Sequence, residues 1–209
     1  MRWGARTNSR NAECQPTLKF DRCTSQWARN QPFLHTAGAH HAVRPLTAIQ
    51  NKYSALCRGP EEQVLPLCEE LGIGFVCWAP LGMGIATGTI NPYTRFTQGD
   101  FRASVPRDSQ DDMPANMALV QLLQDWAVRK GATPAQIGLA RLPAQKPWIV
   151  PIPSTSRLSH LPENIGAEEV RFSRDEFEEL NAAVARSTIS GARLMPPVLA
   201  QTGVEAPTR

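Results

Sequence analysis

Two short segments carry residue types that could bind an anionic ligand. The first is Gly72–Gly88, GIGFVCWAPLGMGIATG, in which an apolar run ends at Trp78 and a glycine-rich turn follows. Glycines allow main-chain N–H groups to face an anion, and an aromatic ring at a strand tip offers a flat surface for stacking. The alternative is a tight turn below a buried tryptophan, and the motif taken alone favours it.

The second segment, Ser154–Arg157, places three hydroxyl side chains and an arginine before a short helix. Hydroxyl groups can cap a helix and donate to a phosphate, the helix N-terminus adds a partial positive charge, and Arg157 adds a full one. The alternative is an ordinary helix cap with one solvated arginine. The segment taken alone favours that simpler interpretation.

Three short apolar segments must position these loops. They are Pro45–Gln50, Phe75–Trp78 and Trp148–Pro151, and a helical pattern follows each of them. The unbroken apolar run Phe75–Trp78 predicts a strand that is covered on both faces. Repeated strand–helix units predict parallel strands with right-handed crossovers. The sequence therefore predicts an α/β fold.

Apolar periodicity and capping residues predict four helices. They are Pro60–Leu71, Asn116–Lys130, a helix that starts at Pro134 after the N-cap Thr133, and Ser173–Val184 with a Ser173/Glu176 capping box. Pro143 is expected to end the third helix. An interior proline removes a hydrogen bond and clashes with the preceding turn, at a cost of about 3 kcal/mol.

Composition excludes several classes of function. The chain has 209 residues, of which 42% are apolar and 20% charged, as in ordinary globular proteins. Its net charge of +3 comes without a basic stripe, which argues against nucleic-acid binding. No apolar run is long enough to cross a bilayer, and the N-terminus lacks the apolar stretch of a secretory signal. Five cysteines without a CxxC pair favour reduced thiols in the cytoplasm over a metal site or disulfides.

Several motifs together resemble the C-terminal half of an aldo/keto reductase, in the family's order and spacing from about His40 to Ala206. The matching motifs are AIQNKY at Ala48–Tyr53, EELGIG and WAPLG within Glu69–Gly82, GDFR at Gly99–Arg102, GATPAQ at Gly131–Gln136, and IVPIP and ENIGA within Ile149–Ala167. The resemblance implies a partial (β/α)8 TIM barrel that contains strands 6–8 with their helices.

The resemblance also implies NADPH-dependent reduction of a small aldehyde or ketone without a metal, with the hydride supplied by the cofactor. It implies that Gln50 hydrogen-bonds the nicotinamide amide and that Trp78 stacks on the nicotinamide ring. The backbone of Ala79, Leu81 and Met83 would line the pyrophosphate. The residues implied at the adenosine end of NADP are Ser154, Thr155, Ser156, Arg157, His160, Glu163 and Asn164.

The predicted organisation has three parts: a disordered or aberrant leader at 1–38, a partial barrel at 39–190 and a C-terminal tail at 191–209. The family's catalytic Asp, Tyr, Lys and His all precede the matched part, so no catalytic residue is assigned and this chain alone is expected to be inactive. Three strands cannot close a barrel. The second hypothesis is therefore a non-catalytic nucleotide-binding or partner-binding fragment that self-associates through its open sheet edges.

Overall fold

The structure is a computed structural model, and it describes residues 32–202. In this range, three strands form a parallel sheet in the order β1–β2–β3. The strands are β1 (Ala48–Lys52), β2 (Gly74–Trp78) and β3 (Ile149–Pro151). The parallel sheet with intervening helices confirms the predicted α/β class.

Helices connect and cover these strands. The α-helices are α1 (Pro32–Val43), α2 (Val64–Leu71), α3 (Met113–Lys130), α4 (Pro134–Gln145), α5 (His160–Ile165), α6 (Arg174–Arg186) and α7 (Pro196–Thr202). Short 3-10 helices lie at Gly59–Glu61, Gly82–Thr87, Phe101–Ser104, Pro106–Asp108 and Gly166–Glu169. Helix α2 links β1 to β2, and the chain from β2 to β3 contains both α3 and α4.

The two faces of the sheet differ in burial. Gln50, Val76 and Val150 are neighbours across the three strands, so their side chains share one face. On the other face Phe75 is fully buried and Ile149 is 1% exposed. On the face of Val76 burial is incomplete, because Val76 is half-buried and Val150 is 53% exposed. The predicted burial of both faces of β2 is therefore wrong. Burial alternates along the strand because the described helices cover mainly the Phe75 face.

Two clusters of buried apolar side chains form the core. The first joins the sheet to α2 and α4 and contains Phe75, Cys68 and Leu142. The second contains Leu123 of α3 and Ile85 from the segment after β2. Fully burying a large aliphatic side chain stabilises the fold by about 1.5 to 3 kcal/mol. The segment after β2 is therefore part of the core and not a detached surface loop.

The helix ends show which local predictions hold. Capping boxes form between Thr133 and Gln136 at the start of α4 and between Ser173 and Glu176 at the start of α6. Gly72 follows α2 with φ of +65°, a left-handed conformation that suits glycine. These predicted ends are confirmed.

Two predicted boundaries are wrong. The sequence predicts a helix from Pro60, but the chain forms a 3-10 helix there and α2 begins only at Val64. The later start places Pro66 in the first turn of α2, where an N–H has no helical acceptor in any case. Helix α4 also continues past Pro143 to Gln145. Only two helical residues follow this proline, so little of the hydrogen-bond ladder is lost.

The structure describes part of each predicted terminal segment. Of the leader, residues 1–31 lie outside the described residues, and residues 32–38 belong to α1, where Ala37 is 5% exposed. Of the tail, residues 203–209 also lie outside. Arg193 and Leu194 are buried, and α7 follows them. The start of the tail is thus packed against the core.

Candidate functional site

The two predicted anion-binding segments leave neighbouring strands at the same end of the sheet. Trp78 is the last residue of β2, and Cys77 lies opposite Pro151, the last residue of β3. The N–H of Ile152 extends the pairing by donating to the carbonyl of Cys77 at 3.0 Å. The glycine loop (residues 79–88) and the serine bend (residues 154–157) therefore both begin at the carboxyl edge, where parallel α/β sheets commonly bind ligands.

Gln50 and Trp78 lie on the same face of the sheet near this edge. Gln50 is half-buried in β1, and its neighbour Lys52 is opposite Trp78 in the strand register. The Lys52 Nζ atom lies 5.3 Å from the centroid of the Trp78 ring, within the range of a cation–π interaction. The same Nζ donates to the carbonyl of Arg193 at 2.9 Å. Trp78 is thus held by a buried lysine while its ring stays partly exposed.

The glycine loop turns through backbone conformations that most residues avoid. The φ angle is +50° at Ala79 and +58° at both Gly82 and Met83. Positive φ at a non-glycine residue costs of order 1 to 3 kcal/mol and persists where the surroundings impose it, often at functional sites. At Gly82 a Cβ would lie 2.6 Å from Cδ1 of Leu56. The positive φ and the close approach of Leu56 therefore both favour glycine at this position.

The predicted pyrophosphate segment is also tied to the core through Leu81. The side chain of Leu81 packs against the second core cluster. Its carbonyl accepts the N–H groups of Gly84 and Ala86 at 3.1 and 3.2 Å. Any contact of this residue with a ligand is therefore left to its backbone.

Arg102 connects the glycine loop to the turn at Asp100. Its guanidinium forms a bidentate pair with Asp100, at 2.7 Å from Nη2 to Oδ2 and 3.0 Å from Nε to Oδ1. These hydrogen bonds lower the pKa of Asp100 to about 2. Nη1 of Arg102 donates to the carbonyl of Met83 at 3.4 Å, and the guanidinium stacks 4.4 Å from the centroid of the Phe96 ring. One arginine thus fixes both loops.

The serine bend is exposed and is held by local hydrogen bonds. The Thr155 hydroxyl accepts the backbone N–H of Arg157 at 3.0 Å and lies 3.5 Å from Nδ1 of His160. The predicted capping role of these hydroxyls is wrong, because the N-cap of α5 is Ser159 and its side chain makes no capping hydrogen bond. The helix starts at His160, which keeps Pro162 in the first turn but leaves the hydroxyls upstream of the cap.

The remaining predicted adenosine contacts lie on α5. His160, Glu163 and Asn164 are all half-buried. The carbonyl of Glu163 accepts from Nε2 of Gln136 at 3.1 Å, which joins α5 to α4. Because α5 has only six residues, we assign no anion site to its N-terminus, and Arg157 is the charged group that the serine bend offers.

Two cavities of the structure lie away from the predicted cofactor contacts. They have volumes of ≈730 and ≈190 Å³, and none of the twelve predicted cofactor residues lines either one. The larger cavity is lined by Lys52, Arg107 and Arg193, among others, which the sequence did not single out. Lys52 lies two residues after the predicted strand segment Pro45–Gln50, and that position is a usable signal. The contact between Lys52 and Arg193 spans 141 positions and leaves no local pattern.

The buried thiols have the properties of core residues. Cys68 is 1% exposed and Cys77 fully buried, so both lie in the core. Burial raises the pKa of Cys68 to about 11 and that of Cys77 to about 12.

Among residues 32–202, no group of three or more His, Cys, Asp or Glu side chains is placed to hold a metal ion. In the same range, no helix combines the length and apolar character needed to span a bilayer.

Comparison with known proteins decides the family. The model of the aldo/keto reductase family matches residues 27–185. The chain belongs to the aldo/keto reductase family. The match extends upstream of His40, where the motif resemblance starts, and it includes α1.

The curated relatives include an aldo-keto reductase of Schizosaccharomyces pombe, yakc [NADP(+)]. It is 38% identical over 158 residues, which cover 74% of this chain and 46% of the relative. This aldo/keto reductase chain thus spans about half the length of that relative.

A solved structure gives a consistent result for the fold. The glycerol dehydrogenase AKR11B4 from Gluconobacter oxydans matches with a TM-score of 0.63 at 19% identity, over 76% of this chain and 48% of that one. This likeness shows a shared fold. The thermostable aldo-keto reductase Tm1743, in complex with the inhibitor epalrestat, matches at 27% identity with a TM-score of 0.47, over 66% of this chain and 40% of that one.

Proposed function

We propose that this chain is the cofactor-binding part of an NADPH-dependent aldo/keto reductase that acts on a small aldehyde or ketone. The observation that carries the proposal is the departure of the glycine loop and the serine bend from adjacent parallel strand ends. Strands β1, β2 and β3 would correspond to strands 6–8 of a (β/α)8 barrel. The name of the yeast relative includes NADP(+), which supports the choice of cofactor.

The proposed contacts follow the order of the cofactor along the carboxyl edge. Gln50 hydrogen-bonds the nicotinamide amide, and Trp78 stacks on the ring. The backbone of Ala79, Leu81 and Met83 lines the pyrophosphate. At the adenosine end the proposed contacts are Ser154, Thr155, Ser156, Arg157, His160, Glu163 and Asn164.

Arg157 carries the proposed preference for NADPH over NADH. It is exposed, so its guanidinium can reach a 2′-phosphate without a burial cost. When bound, the cofactor supplies the hydride, while the protein supplies binding and orientation. We assign no proton donor among the residues of this chain. We therefore expect this chain alone to show little reductase turnover, and we place its action in the cytoplasm.

Fluorescence titration with NADPH tests the proposal. Binding should quench Trp78, so Trp78→Phe should remove the quenching. Trp148→Phe is the matched control, because Trp148 lies just before β3, at the opposite end of the sheet from Trp78. Quenching that survives Trp78→Phe but is lost in Trp148→Phe would contradict the proposed site, as would the absence of any response to NADPH.

A second candidate function rests on the exposed face of the sheet. Val150 of β3 is 53% exposed. Ile152, which extends the pairing of β3 with β2, is 44% exposed. Such a face and its open edges favour a non-catalytic fragment that self-associates. Sedimentation should then show a dimer that Val150→Asp dissociates. The control Val128→Asp changes a valine on α3 that is 85% exposed and should leave the dimer intact. A monomeric wild type would exclude this candidate.

A further inference from the structure

The ≈730 Å³ cavity beyond the end of β1 has a positively charged wall. Lys52 lines it from β1, Arg107 from the 3-10 helix Pro106–Asp108, and Arg193 from the tail. Arg58 also lines the cavity, adds a fourth positive charge and is half-buried. Cations from four separate parts of the chain thus meet at one space, which has the size of a small-molecule site.

Lys52 and Arg107 donate hydrogen bonds to backbone carbonyls. Nζ of Lys52 donates to the carbonyl of Arg193 at 2.9 Å, and Nη1 of Arg107 donates to the carbonyl of Leu56 at 2.6 Å. Hydrogen bonds to carbonyls fix a cation without cancelling its charge. Burial is the main cause that lowers the pKa of Lys52 to about 8; the charges of Arg107 and Arg193 act in the same direction, while Cys57 and Asp108 act in the opposite one. Arg107 and Arg193 therefore disfavour the charge on Lys52, and a bound anion would relieve this repulsion.

The acidic groups beside the cavity compensate these charges only in part. Glu61 lines the cavity, but it already accepts the Tyr53 hydroxyl at 2.8 Å and Nη2 of Arg141 at 3.1 Å. Glu62 is exposed to solvent. Asp108 is 5% exposed and acts on Lys52 as a favourable charge, but it does not line the cavity. Four cations and two carboxylates leave the wall with a net positive charge.

The rest of the wall is apolar or weakly polar. Leu56, Val64 and Ile189 contribute hydrocarbon surface, while Ser187 and Thr188 come from the segment after α6. Ligand sites often combine apolar walls with a few charged groups that fix one end of the molecule. This combination favours a ligand with an anionic head and an apolar body.

We propose that this cavity binds a small organic anion, with its carboxylate or phosphate between Lys52, Arg107 and Arg193 and its apolar part against Leu56 and Ile189. Guanidinium groups bind both kinds of anion in bidentate geometry. None of the proposed cofactor contacts lines the cavity, so the inference does not depend on nucleotide binding.

Calorimetry on the full chain without nucleotide tests this site. The probes are benzoate and phenyl phosphate, with benzamide as the neutral control of similar shape and inorganic phosphate as the head group alone. At least one of the two aromatic anions should bind at least tenfold more tightly than benzamide, and more weakly as salt is added. Tighter binding of benzoate assigns a carboxylate, and tighter binding of phenyl phosphate assigns a phosphate. Benzamide that binds as well as both anions, or no binding of either anion, would overturn the proposal.

Two variants locate the binding. Lys52→Met and Arg58→Gln should each lower the affinity for the preferred anion at least fivefold. The control Arg171→Gln removes an exposed cation that does not line the cavity and should leave the affinity unchanged. Arg58 is only half-buried, so its substitution keeps the test valid if the buried Lys52→Met variant does not fold. Anion affinity that falls equally in Arg171→Gln, or that is unchanged in Arg58→Gln, would contradict this site.

Discussion

The glycine loop and the serine bend are similar in sequence context but are held in different ways. Each follows a parallel strand, and each offers small residues suited to an anion. The glycine loop contributes Ile85 to the core and is fixed by Leu56 and by Arg102. The serine bend is exposed, and the bonds of the Thr155 hydroxyl stay within five positions of it.

This difference separates stability from binding. Changes in the glycine loop disturb packed groups, so they should lower the free energy of unfolding together with any ligand affinity. Changes in the serine bend disturb solvated groups, so they should lower ligand affinity at nearly constant stability. A variant in one loop that shows the effects expected of the other loop would contradict this comparison.

The largest expected effect is that of Gly82→Ala. The new Cβ meets Leu56 at 2.6 Å, and φ at this position is +58°. We expect a loss of roughly 2 to 4 kcal/mol in the free energy of unfolding, from backbone strain and overpacking together. Urea denaturation measures it. The matched control Ser154→Ala should change stability by less than about 0.5 kcal/mol. Equal losses in the two variants would remove the distinction between the loops.

A smaller effect is expected from removing the arginine of each region. Arg102→Met breaks the pair with Asp100 and the contact with the Met83 carbonyl, and it should lower the Tm by about 2 to 4 °C. Arg157→Met should leave the Tm within about 1 °C because Arg157 is exposed. Thermal unfolding followed by circular dichroism checks both. A larger fall in Tm for Arg157→Met would show that the serine bend also supports the fold.

The third effect is a difference in pH dependence. Burial raises the pKa of Asp108 to about 6, against the opposing effect of the charges on Lys52 and Arg102. Between about pH 4 and pH 6 the folded state therefore holds a proton that the unfolded state has lost, and stability falls as pH rises. Asp108→Asn should remove this contribution of up to about 1.4 kcal/mol per pH unit. Ser156→Ala should keep the wild-type slope. An unchanged slope in Asp108→Asn would contradict this assignment.

Much of the fold follows from local patterns in the sequence. The strands at β1, β2 and β3, the glycine at the end of α2 and the two capping boxes depend on residues close in the chain, so each could be predicted. The one-sided burial of β2 could not, because burial depends on which helices cover each face of the sheet. Pro143 was misjudged because only two helical residues follow it, so the proline removes little of the hydrogen-bond ladder of α4.

The candidate site divides in the same way. Trp78 and the glycine loop stand out in the sequence because a strand end and clustered glycines are local signals. Lys52, Arg107 and Arg193 meet only through contacts distant in sequence, such as that between Lys52 and Arg193. The capping role of Ser154 and its neighbours was wrong because Pro162 moves the start of α5 downstream.

The central claim is that the glycine loop and the serine bend hold one dinucleotide between them. The most direct test is the quenching of Trp78 by NADPH in wild type and in Arg157→Met, with nicotinamide mononucleotide as the ligand that reaches only the Trp78 end. We predict that Arg157→Met lowers the affinity for NADPH about tenfold, which is the value of one charge-assisted hydrogen bond. The affinity for the mononucleotide should be unchanged. An NADPH affinity that is the same in both proteins would contradict the claim.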